Sequence, residues 1–276
     1  MKGMESNMDT ILIAVFSITL IGVVCAAILS LASKIMHVAV DERIKKINLA
    51  LPGTNCGACG FPGCGGYASA LVEDSAVKGN LCTPGGATVV AQISEILGKE
   101  NEVATSKVAV IHCGGDAGTQ NKKMTYTGIP TCYAAATVFC GENACAYGCL
   151  GYGDCKLACP SDAICIANGL AIVNRAICTG CGLCVSACPH KIISIQNSES
   201  KTHIACSNIE KGAVVRKKCT KCCIGCGRCV RECPENAVIV ENNLAKIDCE
   251  KCTDCGHCAG ICPTKCIQVF YPCNAL

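Results

Sequence analysis

Cysteine spacing constrains this chain more than any other feature. The sequence has 31 cysteines in 276 residues, and the run C-x2-C-x2-C-x3-C-P occurs twice near its C-terminus, as "CIGCGRCVRECP" and "CTDCGHCAGICP". A disulfide framework has no reason to repeat such runs. With four Phe, six Tyr and no Trp, the chain also has little aromatic surface for an ordinary core. We therefore expect thiols gathered around metal to hold its domains together.

The two runs have the spacing of bacterial two-cluster ferredoxins, in which the fourth cysteine of each run binds the other cluster. This rule predicts two [4Fe-4S] ligand sets. One set is Cys223, Cys226, Cys229 and Cys262, and the other is Cys252, Cys255, Cys258 and Cys233. Zinc is the alternative that the spacing disfavours, because four-cysteine zinc sites are usually built from two C-x2-C knuckles.

An internal repeat with an offset of 74 residues extends the pattern toward the N-terminus. Nine cysteines of residues 132–188 align without a gap on nine cysteines of residues 206–262. Such self-similarity predicts two copies of one structural unit. We expect a first two-cluster ferredoxin-like module at residues 132–198 and a second at 199–276, each with a short β-hairpin between its cysteine runs.

The first copy departs from the ferredoxin pattern at one position, because Tyr152 aligns with Cys226. Cys145, which aligns with a cysteine outside that pattern, is the predicted replacement. The predicted sets of this copy are Cys145, Cys149, Cys155 and Cys188 for one cluster, and Cys178, Cys181, Cys184 and Cys159 for the other. An empty first site or a three-iron cluster is the alternative. Cys132 and Cys206 also align, which indicates a shared structural role or an extra ligand set.

A further cysteine group precedes the repeat. The stretch "NCGACGFPGCGG", followed by "GNLCTP", presents Cys56, Cys59, Cys64 and Cys82, with room for about three helical turns before the last of them. The glycines allow the backbone to fold tightly around an inorganic core and to aim N–H groups at it. We predict a small helical [4Fe-4S] domain at residues 35–100 and a connecting segment at 101–131. A structural zinc ion is the alternative.

An apolar segment opens the chain. Residues 10–33 contain no charged side chain, and a helix of that length spans a hydrocarbon core of about 30 Å. We predict a transmembrane helix within residues 1–34, with a signal peptide or a buried helix as the alternative. Only Lys2 precedes the segment, whereas four basic residues follow it: Lys34, Arg43, Lys45 and Lys46. This asymmetry predicts an outer N-terminus and cytoplasmic cluster domains at the cell membrane.

One segment of the second copy is strongly basic. Residues 201–231 contain eight Lys or Arg and a single acid, Glu210. Carrier ferredoxins are commonly acidic, so such a face would steer their approach. The predicted partner-binding residues are Lys211, Arg216, Lys217, Lys218, Lys221, Arg228 and Arg231. A merely solvated basic face is the alternative.

Nucleotide and catalytic motifs are missing from the sequence. It has no G-x-G-x-x-G after a strand, no G-x-x-x-x-G-K-[ST] and no nucleophile beside a recognisable base. We therefore predict no catalytic residue, no flavin and no NAD in this chain. The whole pattern predicts an α+β chain: one N-terminal transmembrane helix, a small helical [4Fe-4S] domain and two tandem two-cluster ferredoxin-like modules, with five clusters in all.

The order of these parts resembles one family closely. An apolar helix is followed by "LPGTNCGACGFPGCGGYA", then by "CAYGCLGYGDCKLACPSDAI" and then by the ferredoxin runs, as in the B subunits of the Rnf complexes, membrane-bound ferredoxin:NAD oxidoreductases that pump Na+ or H+. The resemblance implies a subunit that accepts electrons from reduced ferredoxin and passes them toward the other membrane and flavin subunits. An iron-sulfur subunit of another membrane enzyme, of the hydrogenase or formate dehydrogenase type, is the alternative, and a zinc-rich interaction protein is a third.

Overall fold

The computed structural model of the chain describes residues 2–35, 41–99 and 106–270. The chain divides into two compact units, Met1–Glu42 and Arg43–Leu276. Helix α1, Lys2–Ile35, accounts for the first unit. Its segment Val15–Lys34 has a mean hydropathy of 2.5 and no buried part, so by length and composition it is able to cross a membrane.

The second unit begins with three helices. They are α2 (Glu42–Ala50), α3 (Gly63–Glu73) and α4 (Gly86–Leu97). Their apolar faces enclose a core that includes Ile47, Tyr67 and Ile93. Helix α4 ends at the left-handed Gly98, where a glycine caps a helix without steric strain. The helix expected between Cys64 and Cys82 is confirmed by α3.

The first ferredoxin-like module contains four strands and three short helices. In chain order they are β1 (Lys107–Ile111), α5 (Cys132–Thr137), α6 (Asp154–Leu157), β2 (Ile164–Ala167), β3 (Leu170–Val173), α7 (Leu183–Ala187) and β4 (Ile193–Asn197). Strands β2 and β3 form an antiparallel hairpin, and β1 pairs with β4 to close the module. Short aliphatic side chains and cysteines share its core.

The second module repeats this plan. Its elements are β5 (Thr202–Ile204), α8 (Gly212–Val215), α9 (Arg228–Arg231), β6 (Val238–Glu241), β7 (Leu244–Ile247), α10 (His257–Ile261) and β8 (Ile267–Val269). Strands β6 and β7 form the hairpin, and β5 pairs with β8. Both hairpins turn at two residues with positive φ, Asn168-Gly169 and Asn242-Asn243, as a two-residue primed turn requires. The expected hairpins are therefore confirmed.

Strand pairing corrects the predicted start of the first module. Strand β1 lies in residues 101–131, which were expected to be a connecting segment, yet it forms the outer sheet of the module. Residues 101–105 lie outside the described residues. The first module therefore begins by Lys107 rather than at residue 132. A five-residue strand far from its partner carries too little local pattern to be recognised from sequence.

The same pairing corrects the cysteine alignment. Ile111 faces Ile193 in the first module, as Ile204 faces Ile267 in the second. Cys113 lies two residues after Ile111, and Cys206 lies two residues after Ile204. Cys206 is therefore the counterpart of Cys113 and not of Cys132. Cys113 and Cys145 are 32 positions apart, whereas Cys206 and Cys219 are 13 apart. The first module thus carries 19 additional residues, and the gapless match of Cys132 was a coincidence.

The two modules contact each other through backbone and side chains. The N–H of Gly114 donates to the carbonyl of Ala205 at 2.9 Å, and the N–H of Asn121 donates to the carbonyl of Lys218 at 2.9 Å. At another point of contact the ring of Phe270, which stacks on His203 of its own module with centroids 4.3 Å apart, meets a side chain of the first module. The Arg175 guanidinium lies 4.3 Å from the same ring. These contacts hold the two modules together.

Candidate iron-sulfur sites

Site A, in the helical domain, contains the four cysteines predicted there: Cys56, Cys59, Cys64 and Cys82. Burial raises the pKa of Cys82, and the other three thiols are close enough to raise it further. Cys64 lies in the first turn of α3, and its backbone N–H donates to Asn55 Oδ1 at 2.8 Å. The structure therefore brings the predicted set together.

A buried tyrosine determines where Cys82 returns to site A. Tyr67, on α3, is 1% exposed. Its hydroxyl donates to the carbonyl of Lys78 at 2.7 Å and accepts from the N–H of Leu81 at 3.3 Å. The residue next to Cys82 is thus fastened to the helix that carries Cys64.

Sites D and E, in the second module, match the predicted crossed arrangement. A cavity of site D is lined by Cys223, Cys226, Cys229 and Cys262. A cavity of site E is lined by Cys233, Cys252, Cys255 and Cys258. Each site thus takes three cysteines from one run and one from the other, as in two-cluster ferredoxins. A fifth thiol, Cys266, also lines site D, with its Sγ 3.7 Å from Cys262 Sγ.

Site C, in the first module, also has its predicted members. Burial and the thiols of Cys178, Cys181 and Cys159 raise the pKa of Cys184 to about 11. The N–H of Ala163 donates to Cys159 Sγ at 3.3 Å, and the N–H of Ala237 donates to Cys233 Sγ of site E at 3.4 Å. These two contacts are 74 positions apart, so sites C and E have the same local geometry.

Site B corrects the sequence prediction. Its cavity is lined by Cys149, Cys155 and Cys188, as expected, but the fourth thiol is Cys132 and not Cys145. Burial raises the pKa of Cys155 to about 12, and the thiols of Cys149, Cys132 and Cys188 add to the effect. Cys145 lines a different cavity. The structure therefore does not bring Cys145 to this set, as the sequence predicted, but Cys132.

The additional residues of the first module deliver Cys132 to site B. Cys132 is the first residue of α5, and the Thr131 hydroxyl caps that helix by accepting the N–H of Ala134. The carboxylate of Asp154 accepts the N–H groups of Cys132 and Tyr133, each at 2.9 Å. Asp154 precedes Cys155 in sequence, so one side chain joins the inserted helix to the ferredoxin run.

Tyr152 occupies the position of the missing cysteine and packs against neighbouring side chains. Its ring packs edge-on against Tyr126 with centroids 5.9 Å apart. It contacts the small apolar cluster formed by Cys132, Ala135 and Leu150. The departure from the ferredoxin pattern was visible in the sequence. The compensating cysteine was missed because it lies 20 positions upstream, in residues that have no counterpart in the second module.

The cavities fit clusters better than single ions. Across residues 41–99 and 106–270, no group of three or more His, Cys, Asp or Glu is arranged to hold one metal ion. A [4Fe-4S] core needs a wider spacing than zinc, because each sulfur binds a different iron. The empty space at sites B, D and E, including the part open to solvent, is about 320 to 360 Å³. Backbone N–H groups donate to sulfurs at sites C to E and beside site B, and such donors stabilise the negative charge of thiolates.

The predicted basic face is only partly free. Lys218 pairs with Glu210 at 2.6 Å, and Lys221 pairs with Asp116 at 3.2 Å. The remaining five predicted partner-binding residues are exposed: Lys211, Arg216, Lys217, Arg228 and Arg231. The positive charge available to a partner is thus smaller than the sequence alone suggests.

Three family models match the parts of the chain that carry these sites. One described as "Putative Fe-S cluster" matches residues 51–84, which contain site A. A "4Fe-4S binding domain" matches residues 171–194, and a "4Fe-4S dicluster domain" matches residues 216–263. All three models therefore support iron-sulfur clusters as the cofactors.

Curated relatives cover most of the chain. The B subunit of the Na(+)-translocating ferredoxin:NAD(+) oxidoreductase complex of Acetobacterium woodii is 41% identical over 94% of this chain and 78% of its own length. The proton-translocating counterpart from Clostridium ljungdahlii is 40% identical over 77% of this chain and 75% of its own. For the B subunit of the ion-translocating oxidoreductase complex of Methanosarcina acetivorans the values are 37%, 90% and 94%. With this identity and coverage, the chain belongs to the family of B subunits of ion-translocating oxidoreductase (Rnf) complexes.

Proposed function

We propose that this chain is the iron-sulfur electron-transfer subunit of an ion-translocating ferredoxin:NAD oxidoreductase. It accepts electrons from reduced ferredoxin and relays them to the other membrane and flavin subunits, where NAD reduction is coupled to Na+ or H+ transport. One observation carries the proposal: five groups of four cysteines lie together, three of them around a cavity, in a chain without a nucleotide-binding motif. The names of the relatives support the same activity.

We assign five [4Fe-4S] clusters to sites A to E. The ligands are Cys56, Cys59, Cys64 and Cys82 at site A; Cys132, Cys149, Cys155 and Cys188 at site B; Cys159, Cys178, Cys181 and Cys184 at site C; Cys223, Cys226, Cys229 and Cys262 at site D; and Cys233, Cys252, Cys255 and Cys258 at site E. When bound, these clusters take up and release single electrons. At site D the motif cysteine Cys226 is preferred over Cys266, whose counterpart in the first module is Ile192.

The protein stabilises the negative charge of the clusters and holds the two sites of each module close together. Amide N–H groups aimed at the sulfurs favour the negative charge that a thiolate-bound cluster carries. Within each module the two sites are neighbours, since Cys155 of site B lies near Cys184 of site C, and Cys258 of site E lies near Cys229 of site D. Two neighbouring sites suit a relay and have no evident use in a zinc protein.

Helix α1 is assigned to the membrane. The excess of Lys and Arg on its C-terminal side supports an outer N-terminus with the cluster domains in the cytoplasm. A reducing compartment also keeps cysteines available for iron. This placement suits a subunit that meets a soluble ferredoxin and hands electrons to membrane partners.

The ferredoxin is expected to dock on the second module. Five exposed basic side chains, at positions 211, 216, 217, 228 and 231, belong to the module that holds site D, and Arg228 lines the cavity of that site. An acidic carrier would be attracted over about one Debye length, so salt should weaken the encounter. We therefore assign these residues to partner binding, with the paired Lys218 and Lys221 in a supporting role.

Electron donors test the proposed function directly. The anaerobically purified full-length chain should absorb broadly near roughly 400 nm, as iron-sulfur clusters do. Reduced ferredoxin should bleach this absorption rapidly, on the timescale of a stopped-flow experiment, whereas NADH should leave it unchanged. Bleaching by NADH alone would contradict the proposed division of labour. A chain that ferredoxin does not reduce, but that H2 or formate reduces through a partner enzyme, would favour the alternative family of membrane enzymes.

A further inference from the structure

A cavity at the junction of the two modules is lined by cysteines that sites A to E leave unused. They are Cys113, Cys145, Cys206, Cys219 and Cys222. The cavity encloses about 280 Å³ of atom-free space, close to that of site E at 320 Å³. Four of the five cysteines are at least nine-tenths buried. We call this the junction cavity.

Four of these cysteines form two equivalent pairs. Strand pairing makes Cys113 the counterpart of Cys206, and the repeat makes Cys145 the counterpart of Cys219. Each module therefore contributes the same two positions to the shared cavity. Cys222 has no such partner, because Gly148 occupies the corresponding position in the first module.

The electrostatic neighbours agree with a single group of thiols. Cys145 is close enough to raise the pKa of Cys113, of Cys206 and of Cys219, in each case after the larger effect of burial. The backbone bridge between Gln120 and Cys219 fastens one side of the cavity across the two modules. The four thiols are therefore held by both modules at once.

Two of the four sulfurs accept an N–H hydrogen bond, and backbone N–H groups lie near the other two. The N–H of Cys149 donates to Cys113 Sγ at 3.3 Å, and Asn208 Nδ2 donates to Cys145 Sγ at 3.3 Å. Nearby backbone N–H groups, those of Cys223 and Asn208 for Cys206 and that of Lys221 for Cys219, partly offset the rise in pKa that burial causes at these two thiols. For Cys222, by contrast, burial and the neighbouring thiols dominate its surroundings. Buried sulfurs supplied with amide donors are typical of cluster ligands.

We propose that Cys113, Cys145, Cys206 and Cys219 bind a sixth [4Fe-4S] cluster at the junction of the two modules. The site adjoins both neighbours, because the amide of Cys149 of site B donates to Cys113 Sγ and the amide of Cys223 of site D lies near Cys206. The sixth cluster thus lies between the two modules and connects their relays. Only the choice of cofactor, and not the convergence of the thiols, rests on the proposed function.

Iron and cluster counting test the inference on the full-length chain, purified without oxygen. Six clusters hold about 24 irons and five hold about 20. Native mass spectrometry of the unsubstituted chain should show six clusters. Cys113→Ser and Cys219→Ser should each lose about four irons, whereas Cys222→Ser should keep all of them. Cys165→Ser, at an exposed position of β2, is the matched control for the substitution itself.

The outcomes separate the inference from the proposed function. Five clusters in the unsubstituted chain would overturn the sixth site even if no variant folds, and ferredoxin would still reduce the other five. Full iron content in Cys219→Ser, or loss in Cys222→Ser with retention in Cys113→Ser, would overturn the ligand assignment. Six clusters that reduced ferredoxin fails to bleach would refute the proposed function and leave the junction cluster standing.

Discussion

Sites B and D are two versions of one cavity that differ in the origin of one of their four thiols. In site D three of the thiols lie in one run, which includes Cys226. In site B the same backbone position holds Tyr152, and Cys132 reaches the cavity from α5. The glycines that flank this position have positive φ in both modules. The backbone is therefore the same in the two sites while the origin of one sulfur changes.

This difference shows that the cavity, and not the spacing along the chain, decides which cysteine serves. A thiol becomes a ligand when its sulfur reaches the right point with the right orientation. The first module meets that requirement through 19 additional residues and through the carboxylate of Asp154. The second module needs neither, and the position aligned with Asp154 is Arg228.

The comparison of sites B and D is tested most directly by giving the first module the cysteine pattern of the second. Cys132→Ser should remove one cluster, about four irons per chain. Adding Tyr152→Cys should restore them, because residue 152 stands where Cys226 stands in site D. Anaerobic iron quantification measures both effects. Full iron in Cys132→Ser alone would contradict the assignment of site B.

The Asp154 carboxylate, which holds α5, should affect the retention of iron only in the first module. Asp154→Ala removes two charge-assisted hydrogen bonds at the start of the helix, a change of about 2 kcal/mol. We expect site B to release iron to a chelator roughly tenfold faster. Arg228→Ala, the aligned substitution in the second module, is the control and should leave the rate unchanged. Equal rates in both variants would show that Asp154 does not position Cys132.

Charge distinguishes the outer faces of the modules. Lys221, Arg228 and Arg231 of the second module align with Tyr147, Asp154 and Leu157 of the first. Docking by attraction therefore predicts an effect in one module only.

Charge-reversal variants test this difference between the two modules. Arg216→Glu with Lys217→Glu should slow reduction by ferredoxin up to about tenfold at low salt, and the difference should vanish at high salt. Stopped-flow bleaching provides the rates. The matched control is Lys156→Glu with Lys191→Glu, two exposed lysines of the first module. The same slowing in the control would assign the effect to net charge and refute docking on the second module.

The smallest expected effect concerns the outer strands. His203 of β5 occupies the position that Val110 holds in β1. Burial lowers the pKa of His203 to about 4, with smaller contributions from His112 and Arg175. The unfolded chain thus binds the proton more readily than the folded chain below about pH 6.5, so stability falls as pH decreases toward 4.

Substitution by the residue of the first module should remove this dependence. Between pH 7 and pH 5.5 the chain should lose about 1 kcal/mol of unfolding free energy through His203. In His203→Val that part of the loss should disappear, although the baseline stability changes with the lost stacking on Phe270. Denaturant unfolding at the two pH values measures the slope. An unchanged slope in the variant would show that another group carries the titration.

Local regularities in the sequence predicted most of the cysteines that the structure brings together. The C-x2-C-x2-C-x3-C-P runs predicted the members of sites D and E, and the aligned runs of the first copy predicted those of site C, because the geometry of such short runs is nearly independent of the surroundings. The Asn-Gly and Asn-Asn turns predicted both hairpins for the same reason. The apolar segment and the glycine-rich run before α3 are equally local signals.

The remaining features depend on contacts between residues that are distant in the sequence. Strand β1 is separated from its partner β4 by more than 80 residues, and Cys132 reaches site B through an insertion that no repeat predicts. The junction cavity needs two modules in contact, and its cysteines are spread from Cys113 to Cys222. The sequence by itself determined that thiols hold this protein together and which family it resembles. Only the tertiary structure decided which thiols meet, because coordination depends on distance in space, whereas spacing along the chain predicts that distance only within a short run.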